Sequence, residues 1–138
     1  MNYARLVLAS AVATVVDAVF GFIVYGNLLT AHFARFPGVF RPSDVQNAYL
    51  PGMFGGIFIG FLAGTAIYAK GYEGGSGVSE GIRFGLLAGI LTTAWRQLIE
   101  HAMMNVDLRF TVVMCVVGVV EWVIAGAVIG ALYKPAAK

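Results

Sequence analysis

Long apolar stretches alternate with short polar ones along the chain, and this pattern predicts transmembrane helices. A spanning helix needs about 20 mainly apolar residues, because the hydrocarbon core of a bilayer is about 30 Å thick and an α-helix rises about 1.5 Å per residue. Four segments meet this requirement, at residues 6–29, 53–69, 82–104 and 110–133. The pattern therefore predicts an all-α membrane protein, a four-transmembrane-helix antiparallel bundle that forms a single integral membrane domain over residues 1–138.

The three predicted connections differ in character. The first, at 31–51, is an outer loop with several aromatic side chains among three prolines, which favours a segment lying at the membrane interface or capping the bundle. The second, at 71–79, is rich in glycine and serine and is typical of a flexible linker. The third, at 105–108, is short, so the helices on either side of it should be antiparallel neighbours.

The distribution of lysine and arginine predicts the orientation in the membrane, since cytoplasmic loops carry an excess of both. The side that holds both termini has Arg5, Lys70, Arg83, Lys134 and Lys138. The opposite side has Arg35, Arg41 and Arg109. This bias favours cytoplasmic termini, with a bacterial inner membrane as the expected location. The first apolar run is too long for a cleaved signal peptide, so we expect it to be retained.

Composition agrees with the membrane assignment. Hydrophobic residues make up 59% of the chain and charged ones only 12%, which excludes an ordinary soluble domain and a disordered one. The net charge of +2 is too small to indicate a nucleic-acid partner. The expected partners are membrane lipids, together with further copies of the chain or other membrane subunits.

Glycines recur every fourth residue in three of the predicted helices. The second helix carries Gly52, Gly56, Gly60 and Gly64, the third carries Gly81, Gly85 and Gly89, and the fourth carries Gly126 and Gly130. Residues four apart share one helix face, and small faces let helices approach closely in lipid. Such faces serve either packing inside the bundle or association with another helix, and the spacing alone leaves both uses open.

Four ionisable residues lie inside the predicted spans: Asp17, Arg96, Glu100 and Glu121. Each falls on the small-residue face of its helix, so we expect a buried cluster in which Arg96 bridges Asp17 and Glu121, with Glu100 on its outer flank. A fully paired network would fix how the helices pack. Because three acids face one arginine, a carboxyl group without a basic partner is the alternative, and such a group suits a proton-coupled carrier or a cation site.

Histidines and catalytic motifs give weaker signals. His32 and His101 fall near the outer ends of two helices, where they could ligate haem, or copper together with Met103 and Met104, although polar residues are common at helix ends. Cys115 is the single cysteine, which excludes an internal disulfide. No nucleophile, metalloprotease or nucleotide-binding motif is present, so we expect neither an enzyme nor a required cofactor.

Two resemblances follow from these features. The chain length, the four predicted spans and Asp17 midway along the first helix resemble the small multidrug resistance transporters, which carry a glutamate in that helix. Arg96, Glu121 and the aromatic first loop depart from that pattern. The opening at residues 1–6 and the alanine-rich helix after it resemble uncharacterised small bacterial four-helix membrane proteins, a likeness that implies no activity.

Three functional hypotheses follow. The first is a non-catalytic accessory or scaffold subunit, or a self-associating bundle, that packs through its glycine faces and is locked by the Asp17–Arg96–Glu121 network. The second is a proton-coupled small-molecule transporter or channel that uses Asp17 and Glu121. The third is haem or metal binding at His32 and His101.

Overall fold

The computed structural model describes residues 1–135, and in that range the regular structure is helical, with no strand. The helices are α1 (Tyr3–Ile23), α2 (Thr30–Phe33), α3 (Ser43–Gln46), α4 (Leu50–Lys70), α5 (Gly77–Gly89), α6 (Trp95–Met103) and α7 (Leu108–Leu132). A π-helical turn at Val24–Leu28 extends α1, a 3₁₀ turn at Asn47–Tyr49 joins α3 to α4, and a π-helical turn at Ile90–Ala94 joins α5 to α6. Lys138, which contributed to the predicted orientation, lies outside the described residues.

Three helical stretches are long and apolar enough to cross a membrane: Tyr3–Leu28, Asp44–Lys70 and Leu108–Leu132. They confirm membrane-length helices at the first, second and fourth predicted spans, as an integral membrane protein requires. The third predicted span, at 82–104, is also helical, from α5 through the π turn into α6. Its charged residues make it too polar for the same criterion, so the fourth crossing remains a prediction.

The first connection is shorter and more ordered than the sequence predicts. The predicted loop at 31–51 contains α2 near its start, and the helix that follows begins around residue 43 rather than 53. Pro42 precedes α3, and Pro51 lies in the first turn of α4. Proline lacks an N–H, and the first turn of a helix leaves its N–H groups without partners, so proline starts these helices rather than breaking them.

Contacts at the two ends show how the long helices run. At one end, the Asn2 amide donates to the Tyr133 hydroxyl at 3.4 Å and the Tyr68 hydroxyl donates to the Gly77 carbonyl at 3.2 Å. The start of α1, the end of α4, the start of α5 and the end of α7 therefore meet there. At the other end, the Phe33 and Phe110 rings lie 5.6 Å apart. The long helices thus alternate in direction, and α6 turns tightly into α7 as predicted.

Helices α5 and α7 touch through their glycines. A Cβ atom added to Gly81 or Gly85 would collide with the carbonyl oxygen of Gly126 or Trp122, and one added to Gly130 would collide with that of Gly77. The backbones lie at this distance because neither face carries a side chain, which permits weak Cα–H···O contacts along the interface. The predicted glycine faces of the third and fourth spans therefore pack against each other within the chain, with Gly89 against Val119 and Trp122.

The glycines of α4 are divided between two environments. Gly64 lies against the Trp122 ring, whereas Gly52, Gly56 and Gly60 face open space, with no atom within 4 Å of an added Cβ. The second half of α4 packs against α1, where the Ser10 hydroxyl donates to the Thr65 hydroxyl at 3.0 Å. The first half of α4 diverges from the other helices, and no other helix within residues 1–135 contacts its glycine face.

An aromatic cap closes the end of the molecule where α2 and α7 meet. Phe33, Phe36 and Phe40 surround the Phe110 ring at centroid distances of 5.6, 5.2 and 5.5 Å. Asp107 caps the N-terminus of α7 by accepting a hydrogen bond from the Phe110 amide at 2.7 Å, and it also pairs with Arg35. The hydrogen bond from the Phe110 amide and, to a smaller extent, the Arg35 guanidinium hold the pKa of Asp107 below its usual range.

The glycine contact between α5 and α7 should tolerate no added methyl group. We expect Gly126→Ala to lower the free energy of unfolding by about 1–3 kcal/mol, because its Cβ would overlap the Gly81 carbonyl and the Gly85 backbone. Gly55→Ala is the matched control, since Gly55 is also helical and faces open space. Circular dichroism during unfolding in detergent measures both, and equal losses in the two variants would contradict this packing.

The Asp107–Arg35 pair should make the stability of the fold depend on pH, with stability falling as the pH is lowered. A carboxylate whose pKa is lowered by folding stabilises the fold above its unfolded pKa of about 4, and this contribution is lost as the pH falls through the lower folded value. Asp107→Asn keeps an N-cap oxygen but loses the charge that pairs with Arg35. We expect its melting temperature to lie below that of the wild type at pH 7 and to converge with it below pH 4.

The exposed pair Glu73–Arg83 at the other end of the molecule provides the control for this pH series. Glu73→Gln should change the melting temperature little at any pH, because Glu73 forms only an exposed ion pair and, unlike Asp107, does not cap a helix N-terminus. A constant difference between the wild type and Asp107→Asn across the series would show that the pairing does not depend on ionised Asp107.

Candidate functional site

Two acidic side chains from different helices meet between α1 and α7. The carboxyl groups of Asp17 and Glu121 lie next to each other and line the same cavity, and Asp17 exposes only 6% of its surface. Asp17 follows Ala9 and Ala13, both fully buried, at steps of four residues, so the small-residue face of α1 carries the carboxyl group inward. The sequence placed both acids on inward faces, and the structure brings them together.

A tyrosine completes this acid pair. The Tyr25 hydroxyl donates a hydrogen bond to Glu121 Oε2 at 2.8 Å. Tyr25 was not among the sequence-predicted site residues, although it lies eight residues after Asp17 and therefore close to the same face of the first span. The spacing of Asp17, Gly21 and Tyr25 was the available signal.

The acid pair has no basic partner among the described residues. The ion pairs there join Arg35 to Asp107, Arg83 to Glu73, and Arg96 to Glu100. Ionised carboxylates accept hydrogen bonds but cannot donate them, so two adjacent carboxyl groups can bond to each other only when one of them carries a proton. Asp17 and Glu121 thus form a pair able to share one proton, an arrangement by which proteins hold two like charges close together.

The predicted bridge from Arg96 to Asp17 and Glu121 is wrong. Arg96 Nε instead donates to Glu100 Oε1, one turn along α6, at 2.7 Å, and the Arg96 side chain is 64% exposed. The reason is the π-helical turn at Ile90–Ala94, which inserts an extra residue into the helix. One extra residue rotates everything after it by about 100° relative to unbroken α-helical spacing.

A small cavity of about 150 Å³ reaches the acid pair from one side. It is lined by Asp17, Glu121, Ile57, Gly60, Phe61 and Trp122. It opens where the first half of α4 diverges from α1 and α7. Its walls are mostly apolar, and its titratable groups are the two acids. A cavity of this size has room for a few water molecules beside them.

A second cavity of about 320 Å³ lies under the aromatic cap, and Tyr25 lies on its wall. Its polar lining is Arg96, Gln97, Glu100 and His101, and its apolar lining includes Phe33, Phe40 and Phe110. Because the Tyr25 hydroxyl also bonds Glu121, this tyrosine connects the second cavity to the acid pair. The predicted cluster is therefore split: Asp17 and Glu121 form one group, and Arg96 and Glu100 belong to the wall of the second cavity.

The two histidines have different surroundings. His101 lines the second cavity, and its Nδ1 lies 3.1 Å from the Thr111 hydroxyl. His32 Nδ1 is buried and has no hydrogen-bond partner among the described residues, and His32 does not line that cavity. Within residues 1–135, no three His, Cys, Asp or Glu side chains are grouped as a metal site would need. Haem or copper binding at His32 and His101 stays a prediction.

The resemblance to small multidrug resistance transporters stays a prediction drawn from Asp17 and the predicted spans. The chain matches no protein-family model, no curated protein and no solved structure.

Proposed function

We propose that the chain is a small integral membrane transporter that couples proton movement through Asp17 and Glu121 to the movement of a small molecule. The observation that carries this proposal is the acid pair itself, which has no cation beside it among residues 1–135 and lies between two cavities. A structural lock would be expected to pair each buried carboxylate with a base, because an unpaired buried charge is costly.

The proposal includes four membrane crossings, with the stretch from α5 through α6 as the third of them. In support, this stretch packs along α7 between the same two ends as the other long helices, and Leu87 and Leu91 on its outer face are about 70% exposed. Arg96 and Glu100 lie near its outer end, where long charged side chains reach the interface. With both termini cytoplasmic, as in a bacterial inner membrane, the aromatic cap faces outward.

A proton can move between the two cavities through three polar groups, Tyr25, Glu121 and Asp17. The Tyr25 hydroxyl can lose its proton to Glu121 while its oxygen gains one from the second cavity, since a hydroxyl both donates and accepts. Asp17, which then holds the proton shared by the pair, releases it into the first cavity, which it lines. The proton on Glu121 passes to the adjacent Asp17 carboxylate and restores the starting state. This order moves one proton without leaving an isolated charge in the apolar interior.

Neutral variants of the two acids test the proposal directly. We expect Asp17→Asn and Glu121→Gln each to lower proton flux at least about tenfold in proteoliposomes under an imposed pH gradient, because an amide cannot relay a proton. Tyr25→Phe should also lower it, since the relay to the second cavity is lost. An internal pH-sensitive dye reports the flux. Glu73→Gln, which removes an exposed carboxylate far from the pair, should leave it unchanged.

Infrared difference spectroscopy gives a second measurement that needs no substrate. The wild type should show the band of a protonated carboxyl group at neutral pH, and the band should disappear or shift in Asp17→Asn and Glu121→Gln. Wild-type flux equal to that of empty liposomes would overturn the proposal, whether or not the band is present.

Self-association is a second candidate role, favoured by one specific observation. Gly52, Gly56 and Gly60 form a face of α4 that no other described helix covers, whereas the glycine faces of α5 and α7 pack against each other. Such a face is the surface that membrane helices use for close pairing. We propose that it joins two copies of the chain or attaches the chain to another membrane subunit, as an accessory or scaffold protein would.

Two substitutions on neighbouring faces of α4 test this role. Gly56→Leu should abolish crosslinked dimers in native membranes, because the large side chain blocks close approach of a second helix. Gly55→Leu places the same side chain about 100° away and should leave the dimers intact. A wild-type chain that stays monomeric in this assay would remove self-association, and co-purification of another subunit would identify the alternative partner.

A further inference from the structure

The second cavity has a composition that selects among ligands. Its polar wall holds one cation, Arg96, and one anion, Glu100, side by side. The remaining titratable groups on its wall are His101 and Tyr25. Its apolar lining includes three phenylalanine rings, Phe33, Phe40 and Phe110. A bound molecule must therefore satisfy an adjacent pair of opposite charges and an aromatic surface together.

The ion pair leaves part of each charged group available. Arg96 uses Nε toward Glu100 Oε1 at 2.7 Å, and neither side chain makes another hydrogen bond within the described residues. Both terminal amino groups of the guanidinium and the second carboxylate oxygen thus remain free to bind a ligand. Charge-assisted hydrogen bonds from these groups would be among the strongest that the cavity can offer.

The adjacent charges of Arg96 and Glu100 disfavour several classes of ligand. An anion alone would be held by Arg96 but repelled by Glu100, and a cation alone would meet the reverse situation. A purely apolar molecule would remove water from an ion pair without replacing its hydrogen bonds, which is costly. A zwitterion whose charges lie close together can place its anion on Arg96 and its cation on Glu100 at the same time.

The apolar wall indicates the body of the ligand. Phe33 and Phe40 meet Phe110 with ring centroids 5.6 and 5.5 Å apart, and Met104 and Met114 also line the cavity. Aromatic edges and thioether sulfurs pack favourably against a flat ring. We propose that this cavity binds a small aromatic zwitterion, an aromatic amino acid in its chemistry, as the substrate of the proton-coupled transport proposed above, on which this inference rests.

Equilibrium binding to the detergent-solubilised protein, measured by titration calorimetry, tests the inference separately from transport. The probes are phenylalanine, phenethylamine, 3-phenylpropionate and alanine, which keep or remove the carboxylate, the ammonium and the ring. We expect phenylalanine to bind at least about tenfold more tightly than the other three, because each lacks one charge-assisted contact or the aromatic packing. Comparable affinities across the four would overturn the proposal.

Variants assign each contact. Arg96→Gln should remove the preference for phenylalanine over phenethylamine, and Glu100→Gln should remove its preference over 3-phenylpropionate. Arg83→Gln, which neutralises an exposed arginine at the other end of the molecule, should change none of these ratios. Preferences that persist in both cavity variants would contradict the site even though the probe series on the wild type succeeds.

Two further arms separate alternative outcomes. Glycerophosphoethanolamine carries the same pair of opposite charges as a zwitterionic lipid headgroup, and if it binds as tightly as phenylalanine, the aromatic part of the inference is wrong. Asp17→Asn should still bind phenylalanine although its proton flux is lost. Binding without flux in the wild type would therefore overturn the proposed transport alone, and flux without binding would overturn this inference alone.

Discussion

The close contact between the glycine faces of α5 and α7 sets the positions on which the site depends. Backbone meets backbone there, with the Gly126 carbonyl lying where a side chain on Gly81 would begin. In lipid no hydrophobic force drives helices together, so the dispersion attraction and weak hydrogen bonds of such a contact must hold them. This contact fixes the height and rotation of α7, and it thereby places Glu121 and Trp122 opposite α1 and α4.

The π-helical turn after α5 is the second constraint, and it separates the charges. Thr93 within this turn packs against Gly118 of α7, and the Thr92 hydroxyl donates back to the Ala88 carbonyl at 2.7 Å. The helix after the turn is rotated, so Arg96 faces the second cavity and pairs with Glu100. Within the described part of the chain, the acid pair is left without a cation, and the charged residues form two groups in place of one neutralised cluster.

The two halves of helix α4 differ in what they contact. Its second half is fixed to α1 by the buried Ser10–Thr65 hydrogen bond, while its first half leaves the other helices. The gap that results brings open space to Asp17 and leaves three glycines uncovered. The divergence of the first half of α4 thus supports both the proposed proton release and the proposed association with a second chain.

The sequence by itself determined the helical class, three membrane-length helices and the tight turn between α6 and α7, because these depend on apolar length and local turn chemistry. It also identified Asp17 and Glu121 as inward-facing acids, since helical periodicity was enough for residues on unbroken helices. Only the tertiary structure decided the partner of Arg96 and the role of Tyr25. A π-helical turn changes the rotation of all residues after it, and hydrogen bonds between distant helices depend on packing that no local spacing records.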